Sequence, residues 1–345
     1  MEENSNKLTD INELGEFGLI KLISKNIKLK NKSSVLGIGD DSAIIDNSKL
    51  QTIVSTDMLV EGVHFDLSYF PLKHLGYKSI ISSISDIYSM NAQCNQVTVS
   101  IAISNRFKVE SIQDLYSGIN LACKNYGVDL IGGDTTSSNK GIVISITAIG
   151  SAKKEKIVKR SGAKNNDLIV VTGSLGNAYL GLQVLEREKQ VFLVNQNSKP
   201  DLSPYTKLIE SQLKPEARKD VISYLDENNI IPTSMIDISD GLSSEILHIC
   251  KNSKVGCNIY EEKIPISEEL KSACEEFKLH STTVAMSGGE DYELLFTIDQ
   301  KDYDKIKNSP DLTVLGHITD DPKEINIITG ADQVVPITSQ GWKSF

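Results

Sequence analysis

The chain has 345 residues, of which 39% are hydrophobic and 24% are charged, and its 46 acidic against 36 basic side chains give a formal net charge of −10. This ordinary composition indicates a folded globular protein and excludes a wholly disordered or fibrous chain. The acidic balance, without a long Lys/Arg run, argues against a general nucleic-acid-binding protein. Phosphate ligands are still compatible with it, because metal ions can screen their charge locally.

The five cysteines are far apart and form no CxxC pair, so they indicate neither a disulfide framework nor a zinc site. The amino-terminal residues lack the basic and apolar regions of a signal peptide. No apolar run approaches the roughly 18 residues that span a bilayer. We therefore expect a cytoplasmic protein with no membrane and no nucleic-acid partner. The length favours two domains, and the polar, basic stretch 153–159 divides the chain into residues 1–150 and 151–345.

In the first half of the chain, predicted strands alternate with predicted helices. Asp10 can cap a first helix that includes Ile23, and a glycine loop, 37–41, follows this helix. Next come a strand over 51–55, a helix from Leu72 to Ile87, a strand over 97–103, a helix over 109–126, a tight turn at Gly132-Gly133 and a strand over 142–149. This alternation is typical of a mixed α/β fold.

The second half continues the same pattern. It predicts a strand over 168–172, a helix through Leu180 and Leu185, a polar surface loop around 190–204, a helix start at Pro215, a Ser239-Asp240 cap on a helix ending near Cys250, and a strand over 292–298. The turn 173–176 between strand and helix has two open interpretations: its backbone N–H groups bind a phosphate, or it is only a tight turn. The sequence contains no P-loop, no GxGxxG and no GxSxG motif.

Acidic residues recur beside glycine or hydroxyl residues where a strand is predicted to end or a helix to begin. They lie in Gly39-Asp40-Asp41, Ser55-Thr56-Asp57, Ser85-Asp86, Gly133-Asp134 and Asp237-Ile238-Ser239-Asp240. A single such aspartate is usually a turn residue, or it complements a helix dipole by about 0.3–1 kcal/mol. Two bare carboxylates about 4 Å apart repel by roughly 4 kcal/mol at an effective dielectric constant near 20. A converging set therefore predicts Mg²⁺, Mn²⁺ or Ca²⁺ with oxygen ligands.

Four other residues each have a structural and a functional interpretation. His64 is either a surface histidine or part of a site, and Arg160 is either a solvated charge or a clamp for a phosphate. Glu290 directly follows two glycines, so we expect it to point into a pocket. Trp342, the only tryptophan, either packs against the protein or stacks on a heteroaromatic ligand.

Together these motifs resemble the thiamine-monophosphate kinase family, which is part of the superfamily of aminoimidazole ribonucleotide synthetase. The matching stretches follow the order of that family over nearly the whole chain. They are 37–41, Ser55 to Phe65, Ser85-Asp86-Ile87, Gly132 to Thr136, Arg160 to Ala163, Asp237 to Leu242, Ser287 to Leu294 and Gly341-Trp342.

The resemblance implies a set of ligands for each substrate and for the metal. Several Mg²⁺ ions would be held by Asp41, Ser55, Thr56, Asp57, Asp86, Asp134, Asp237 and Asp240. ATP would be contacted by Gly133, Asp134, Arg160 and Ser239, and the thiamine substrate by His64, Glu290 and Trp342. The family also implies an N-terminal mixed-sheet domain, carrying metal and ATP ligands, that pairs across a homodimer. A C-terminal α/β domain would close over the nucleotide.

The implied reaction is ATP-dependent phosphorylation of thiamine monophosphate to thiamine diphosphate by direct in-line transfer. The second pKa of a phosphate monoester is about 6, so the acceptor oxygen is anionic at neutral pH and no general base is assigned. Metal ions and an arginine are the usual means of stabilising two polyanions as they approach in line.

This sequence departs from the pattern of the family at three places. Ser83 and Asn91 stand where asparagine and glycine are common, and no histidine precedes the final Phe345. Two rival enzymes of the superfamily have less support, because selenophosphate synthetase would need a reactive cysteine before Cys94 and the hydrogenase-maturation dehydratase a cysteine at the C-terminus. A non-catalytic Mg²⁺ or nucleotide sensor is the remaining alternative, and the completeness of the acidic set argues against it.

Overall fold

Residues 19, 22–36, 44–197 and 200–338 are described by the structure, which is a computed structural model. The chain divides into two units, unit 1 (Met1–Ile87 and Gln93–Ser151) and unit 2 (Tyr88–Ala92 and Ala152–Phe345). Both units combine strands with helices, so the predicted mixed α/β class is confirmed. The glycine loop 37–41 and most of the predicted first helix lie outside the described residues. Within those residues, no helix combines the length and apolarity that crossing a membrane requires.

Unit 1 is built on a four-stranded sheet in the order β3–β6–β4–β5. Its elements are β1 (Ser34–Leu36), β2 (Ile44–Ile45), β3 (Gln51–Val60), α1 (Leu72–Tyr88), β4 (Gln93–Ile103), α2 (Val109–Tyr126), β5 (Asp129–Ser137) and β6 (Ile142–Ala152). Strand β4 is antiparallel to β6 and parallel to β5. Helix α2 connects β4 to β5, as a parallel pair requires a crossover connection. Strands β1 and β2 form a separate antiparallel pair.

One face of this sheet carries the core of unit 1. In β6, Ile142, Ile144 and Ile146 are fully buried, whereas the residues between them are half-buried. This alternation arises because successive side chains of a strand point to opposite faces. On the helices, Ile80 and Ile84 of α1 and a matching set on α2 are also fully buried.

Helices α1 and α2 meet backbone to backbone. A Cβ at Gly76 would lie 2.0 Å from the carbonyl oxygen of Leu115, and one at Gly118 would lie 1.8 Å from that of Lys73. Only glycine permits this approach at either position. The contact therefore sets the position of α1 over the sheet.

Unit 2 is built on a seven-stranded sheet in the order β13–β12–β9–β11–β7–β10–β8. Its elements are β7 (Leu168–Thr172), α3 (Asn177–Val194), α4 (Thr206–Leu213), α5 (Lys219–Glu227), β8 (Ser234–Asp237), α6 (Leu242–Ser253), β9 (Gly256–Tyr260), α7 (Glu268–Phe277), α8 (Ser281–Ser287), β10 (Leu294–Ile298), α9 (Tyr303–Ile306), β11 (Leu312–Thr319), β12 (Ile325–Ile328) and β13 (Val334–Pro336). The pairing is antiparallel except between β12 and β9. Strand residues such as Ile169 and Leu295 share one buried cluster with Ile246 of α6.

Two predicted boundaries in unit 1 are wrong in a way that matters for the site. Strand β3 continues to Val60, so Asp57 lies inside the strand and not at its end. Gly132 and Gly133 lie inside β5 and not in a turn. Sequence propensity favours a turn for paired glycines, but the close approach of β4 keeps this segment extended.

Two predictions in unit 2 also differ from the structure. The region expected to be a loop around 190–204 begins with the last turns of α3, which ends at Val194. Pro215 lies in the connection between two helices, because α4 ends at Leu213 and α5 begins only at Lys219.

The contact between α1 and α2 yields a stability prediction. Gly118→Ala should destabilise the protein by about 1–3 kcal/mol, because the added methyl group forces the backbones apart and this cost exceeds the gain in helix propensity. Urea unfolding measures the change. The matched control is Ser117→Ala, at the exposed neighbouring position of the same helix, with a change below about 0.5 kcal/mol. Equal stability of the two variants would contradict the proposed backbone contact.

Candidate active site

Strand β3 and helix α1 bring three of the predicted metal ligands to one side of the sheet in unit 1. Ser55 and Asp57 share a side of β3 because they are two residues apart. The hydroxyl of Ser55 donates a hydrogen bond to Oδ2 of Asp86 on α1. Thr56 points to the other side, where its hydroxyl donates to the carbonyl oxygen of Ile146 at 2.9 Å.

Asp57 has the electrostatics of a cation ligand. Burial raises its pKa, while the Ser83 hydroxyl and the charge of His64 act in the opposite direction. Its Oδ2 is buried and has no hydrogen-bond partner among the described residues. A buried carboxylate oxygen is costly unless another group compensates for the lost water. A hard cation is such a group, and the oxygen donors nearby fit Mg²⁺.

Asp134 lies on β5, where it is exposed and its Oδ1 accepts the N–H of Thr135 at 2.9 Å. The preceding residue must be glycine, because a Cβ at Gly133 would lie 1.9 Å from the carbonyl oxygen of Val99. A register shift between β4 and β5 comes just before this glycine pair, as a β-bulge does beside many active sites. Strands β3 and β5 are the two edges of the sheet. The structure therefore places Asp134 on the opposite edge strand from Asp57.

A cavity of about 60 Å³ lies beside the glycine pair of β5. Its lining includes Gly133, Asp134 and Tyr116, together with Ile23 and Ser24 from the amino-terminal segment. No motif in the sequence singles out Tyr116. Its place on the buried face of α2 gives it the pattern of an ordinary core residue, so only the tertiary structure assigns it to the cavity.

His64 lies in the turn that follows β3 and is exposed. The N–H of Val60 donates to its Nδ1 at 3.0 Å, so Nε2 is the ring nitrogen that carries a proton. Glu61 fixes the same turn, since its carboxylate accepts hydrogen bonds from Arg106 and from the N–H of Ile142. The imidazole thus presents an N–H donor that suits a phosphate oxygen.

In unit 2, a second acidic group follows strand β8. Asp237 ends the strand and is buried, and Asp240 lies three residues later. Burial raises the pKa of Asp240, and the charges of His248 and Arg160 oppose the shift. Arg160 itself is exposed. The structure therefore brings together the predicted metal ligand Asp240 and the predicted ATP ligand Arg160.

Glu245 on α6 belongs to this group, although the sequence analysis missed it. Burial raises its pKa to about 7, the N–H of Asp240 lowers it, and the charges of Asp237 and Asp240 raise it further. The N–H of Asp240 donates to Oε1 of Glu245 at 3.1 Å. The available signal was an acidic residue near the start of a helix, reaching back as in a capping box.

The prediction that Ser239 and Asp240 cap this helix is wrong. Helix α6 begins at Leu242 after Gly241, and no side chain caps it. Gly241 has φ +109°, a conformation that L-residues rarely adopt, so the turn is made by the glycine. Ser239 is left exposed, in a position from which a ligand can be contacted.

The loop with Glu290 is joined to the loop with Ser239 by backbone hydrogen bonds. The N–H of Glu290 donates to the carbonyl oxygen of Ser239 at 2.8 Å, and that of Tyr292 donates to Ile238 at 2.9 Å. Loops 237–241 and 288–293 therefore form one hydrogen-bonded structure. A predicted nucleotide ligand and a predicted substrate ligand are held next to each other by it.

The turn 173–176 is occupied from within the protein. Asp291 accepts the N–H of Gly176 at 2.7 Å and that of Ala178 at 3.3 Å. These are the amide groups at the start of α3 that a phosphate would need. The structure therefore favours the interpretation as a tight turn, because the carboxyl group of Asp291 occupies the place that a bound phosphate would take.

Some of the predicted site residues lie in unit 1 and the others lie in unit 2. Asp41 and Trp342 lie outside the described residues, so the structure does not place them. Among the residues it does describe, no three histidine, cysteine, aspartate or glutamate side chains lie together in the arrangement of a metal site. The pairs joined by a hydrogen bond are Ser55 with Asp86 and Ser239 with Glu290, and Arg160 lies near enough to Asp240 for its charge to lower the pKa of that carboxyl group.

Comparison with known proteins identifies the same two-unit architecture elsewhere. Residues 39–152 match the N-terminal domain of AIR synthase related proteins, and residues 164–328 match the C-terminal domain. A thiamine-monophosphate kinase from Aquifex aeolicus is 32% identical over 97% of this chain and 99% of its own length. One from Buchnera aphidicola is 37% identical over 94% of this chain and 97% of its own.

A solved structure of similar fold contains ligands. It is AaThiL complexed with AMPPCP and TMP, with 32% sequence identity and a TM-score of 0.74. The similarity covers 97% of this chain and 98% of that chain.

The contacts of Asp291 yield a prediction for the pH dependence of stability. Burial raises the pKa of this carboxyl group to about 8, and the two amide donors oppose the shift. Because the folded state then binds a proton more tightly than the unfolded state, the stabilisation is complete below about pH 4 and is lost as the pH rises to about 8. The slope is at most about 1.4 kcal/mol per pH unit. Asp291→Asn should reduce this slope in urea titrations between pH 5 and 8, and parallel curves for both proteins would contradict the assignment.

Proposed function

The chain belongs to the thiamine-monophosphate kinase family of AIR synthase related proteins, and on that premise we propose that it transfers the terminal phosphoryl group of ATP to thiamine monophosphate. The products are thiamine diphosphate and ADP. The observation that carries this proposal is the likeness, over 97% of the chain, to a protein solved with AMPPCP and TMP. The bound molecules are an ATP analogue and the acceptor.

We propose that several Mg²⁺ ions bind to three groups of oxygen ligands. The first is formed by Ser55, Asp57 and Asp86, the second by Asp134, and the third by Asp237 and Asp240, with Asp41 as a further ligand. Thr56 also belongs to the predicted set, but its side chain points to the other side of β3. The buried Oδ2 of Asp57, without a partner in the described part of the chain, supports this assignment. When bound, Mg²⁺ supplies charge neutralisation of the phosphates.

The protein itself contributes donors for the polyphosphate of ATP. Arg160 offers a guanidinium that matches two phosphate oxygens, and Ser239 is exposed in the adjoining part of unit 2. Gly133 and Asp134 line the cavity of unit 1 beside Tyr116, and this supports their assignment to the nucleotide.

For the thiamine substrate we propose His64, Glu290 and Trp342. The Nε2–H group of His64 suits the phosphate, and the carboxylate of Glu290 suits the cationic thiazolium or the amino group of the pyrimidine. No residue is needed to remove a proton, since the acceptor phosphate is anionic near neutral pH.

We further propose a homodimer formed through the sheet of unit 1. Val54 and Met58 of β3 are 60% and 58% exposed on the side opposite to Ser55 and Asp57. An exposed apolar sheet face is an expected place for association. The five cysteines are free and buried, which is compatible with the expected cytoplasm.

Turnover is the direct test of the proposed function. With ATP, Mg²⁺ and thiamine monophosphate, the wild-type protein should form thiamine diphosphate and ADP in equal amounts. Asp57→Asn should lower kcat by at least about 100-fold, because a ligand charge is lost. Its free energy of unfolding should not fall, since burial raises the pKa of Asp57 and a neutral amide carries no charge to bury.

The matched control for this variant is Asp114→Asn, an exposed aspartate on α2. It should keep wild-type turnover and stability. Absence of thiamine diphosphate with the wild-type protein would refute the kinase assignment, and full activity of Asp57→Asn at saturating Mg²⁺ would remove this residue from the metal set.

The proposed dimer is tested by molar mass. Val54→Glu should convert the dimer to a monomer in light scattering, because a buried charge in an apolar interface is costly. The control Val191→Glu places the same charge at a position on α3 that is 43% exposed, and it should leave the mass unchanged. A monomeric wild-type protein would contradict the proposal.

A further inference from the structure

Two features of the Glu290 backbone hold this residue in place. Its backbone has φ +66°, a left-handed conformation that is uncommon for a residue other than glycine. The N–H group donates to Ser239, as described above. Such a conformation persists only where the surroundings hold it, and it often occurs where a ligand is bound.

The side chain of Glu290 is held by Gln212 on α4. Nε2 of Gln212 donates to Oε2 of Glu290 at 3.0 Å. Gln212 is only 1% exposed, so water cannot replace its hydrogen bond to Glu290 at low cost. Because a carboxylate can only accept, the amide nitrogen, and not the amide oxygen, must face it.

Helix α4, which carries Gln212, is itself rigidly placed. It packs along α3, where a Cβ at Gly181 would lie 2.1 Å from the carbonyl oxygen of Leu208. The start of α3 is bound by Asp291, the residue that follows Glu290. Gln212 and the loop 288–293 are therefore parts of one connected structure, and the amide reaches the carboxylate from a fixed direction.

A second contact holds the far end of the same loop. Arg218 is largely buried and its Nη1 lies 2.9 Å from Oε2 of Glu293, which also accepts a hydrogen bond from Thr172. This ion pair anchors the loop at its junction with β10. The Arg218 ion pair is made with Glu293, whereas Gln212 donates directly to the Glu290 carboxylate.

We propose that Gln212 is a positioning residue that sets the affinity for the thiamine substrate by orienting the carboxylate of Glu290. This inference rests on the proposed function. An oriented carboxylate loses less conformational freedom when it meets a cationic or amino-bearing heterocycle, so the substrate is bound more tightly. Because the Gln212 amide donates to a carboxylate assigned to the thiamine substrate, we expect a much larger effect on this substrate than on ATP.

The test compares Gln212→Leu with the wild-type protein, measuring KM separately for thiamine monophosphate and for ATP with Mg²⁺ present. Leucine keeps the apolar volume and removes the donor. KM for thiamine monophosphate should rise by about tenfold or more, the typical loss for a hydrogen bond to a charged group. KM for ATP should stay within about twofold. Ser211→Ala, the neighbouring position on α4, is the control and should leave both constants unchanged.

A double-mutant cycle separates positioning from a general structural effect. In a Glu290→Ala background, Gln212→Leu should have no further effect on KM for thiamine monophosphate, because the group through which it acts is gone. Additive effects in the two backgrounds would overturn the proposal. Gln212→Glu is a second variant with a side chain of the same shape. Its carboxylate should repel that of Glu290, so KM for thiamine monophosphate should rise.

The outcomes distinguish this inference from the proposed function. If the wild-type protein turns over thiamine monophosphate and Gln212→Leu has unaltered KM values, only the proposed role of Gln212 is overturned. Failure of the wild-type protein both to bind thiamine monophosphate in calorimetry and to phosphorylate it would overturn the proposed function together with this inference.

Discussion

Carboxylates held away from water are the constraint on which the proposed site depends. Burial raises the pKa of Asp57 in unit 1 and of Asp240 and Glu245 in unit 2. A protein that keeps such groups gives up stability near neutral pH, because their charged forms are poorly solvated. In the proposed site, bound cations would compensate for this cost, so that Asp57 and Asp240 would serve as metal ligands.

The placement of these groups depends on backbone contacts rather than on the acidic residues themselves. In unit 1, Gly118 lets α2 approach α1, the helix that carries Asp86, and Gly133 lets β5 approach β4 beside Asp134. In unit 2, the backbone hydrogen bonds between loops 237–241 and 288–293 hold Ser239 beside Glu290. Rigid supports of this kind lower the entropy lost when substrates bind, which is a common property of sites for phosphoryl transfer.

Several features were accessible from the sequence because their physical cause is local. Helical spacing of apolar residues predicted the helix over 109–126 with the bounds that the structure has. The strand predicted over 168–172 also has the bounds that the structure shows. The order of the acidic motifs predicted the family. The boundary of β3 and the strand position of Gly132-Gly133 were missed, because strand pairing decides them and local propensity does not report it. The true start of α6 was missed because Gly241, and not a side-chain cap from Ser239 or Asp240, makes the turn before it.

The sequence by itself determined the fold class, the family and the chemical character of the site, since apolar periodicity and oxygen-bearing motifs are properties of neighbouring residues. Only the tertiary structure decided which groups meet. It assigned Asp291 to the start of α3, more than 100 residues away, and it placed Tyr116, Glu245 and Gln212 beside residues of the predicted site. Apart from the local contact of Glu245 with Asp240, these contacts join residues that are remote in the chain and become neighbours only when the sheets and helices pack.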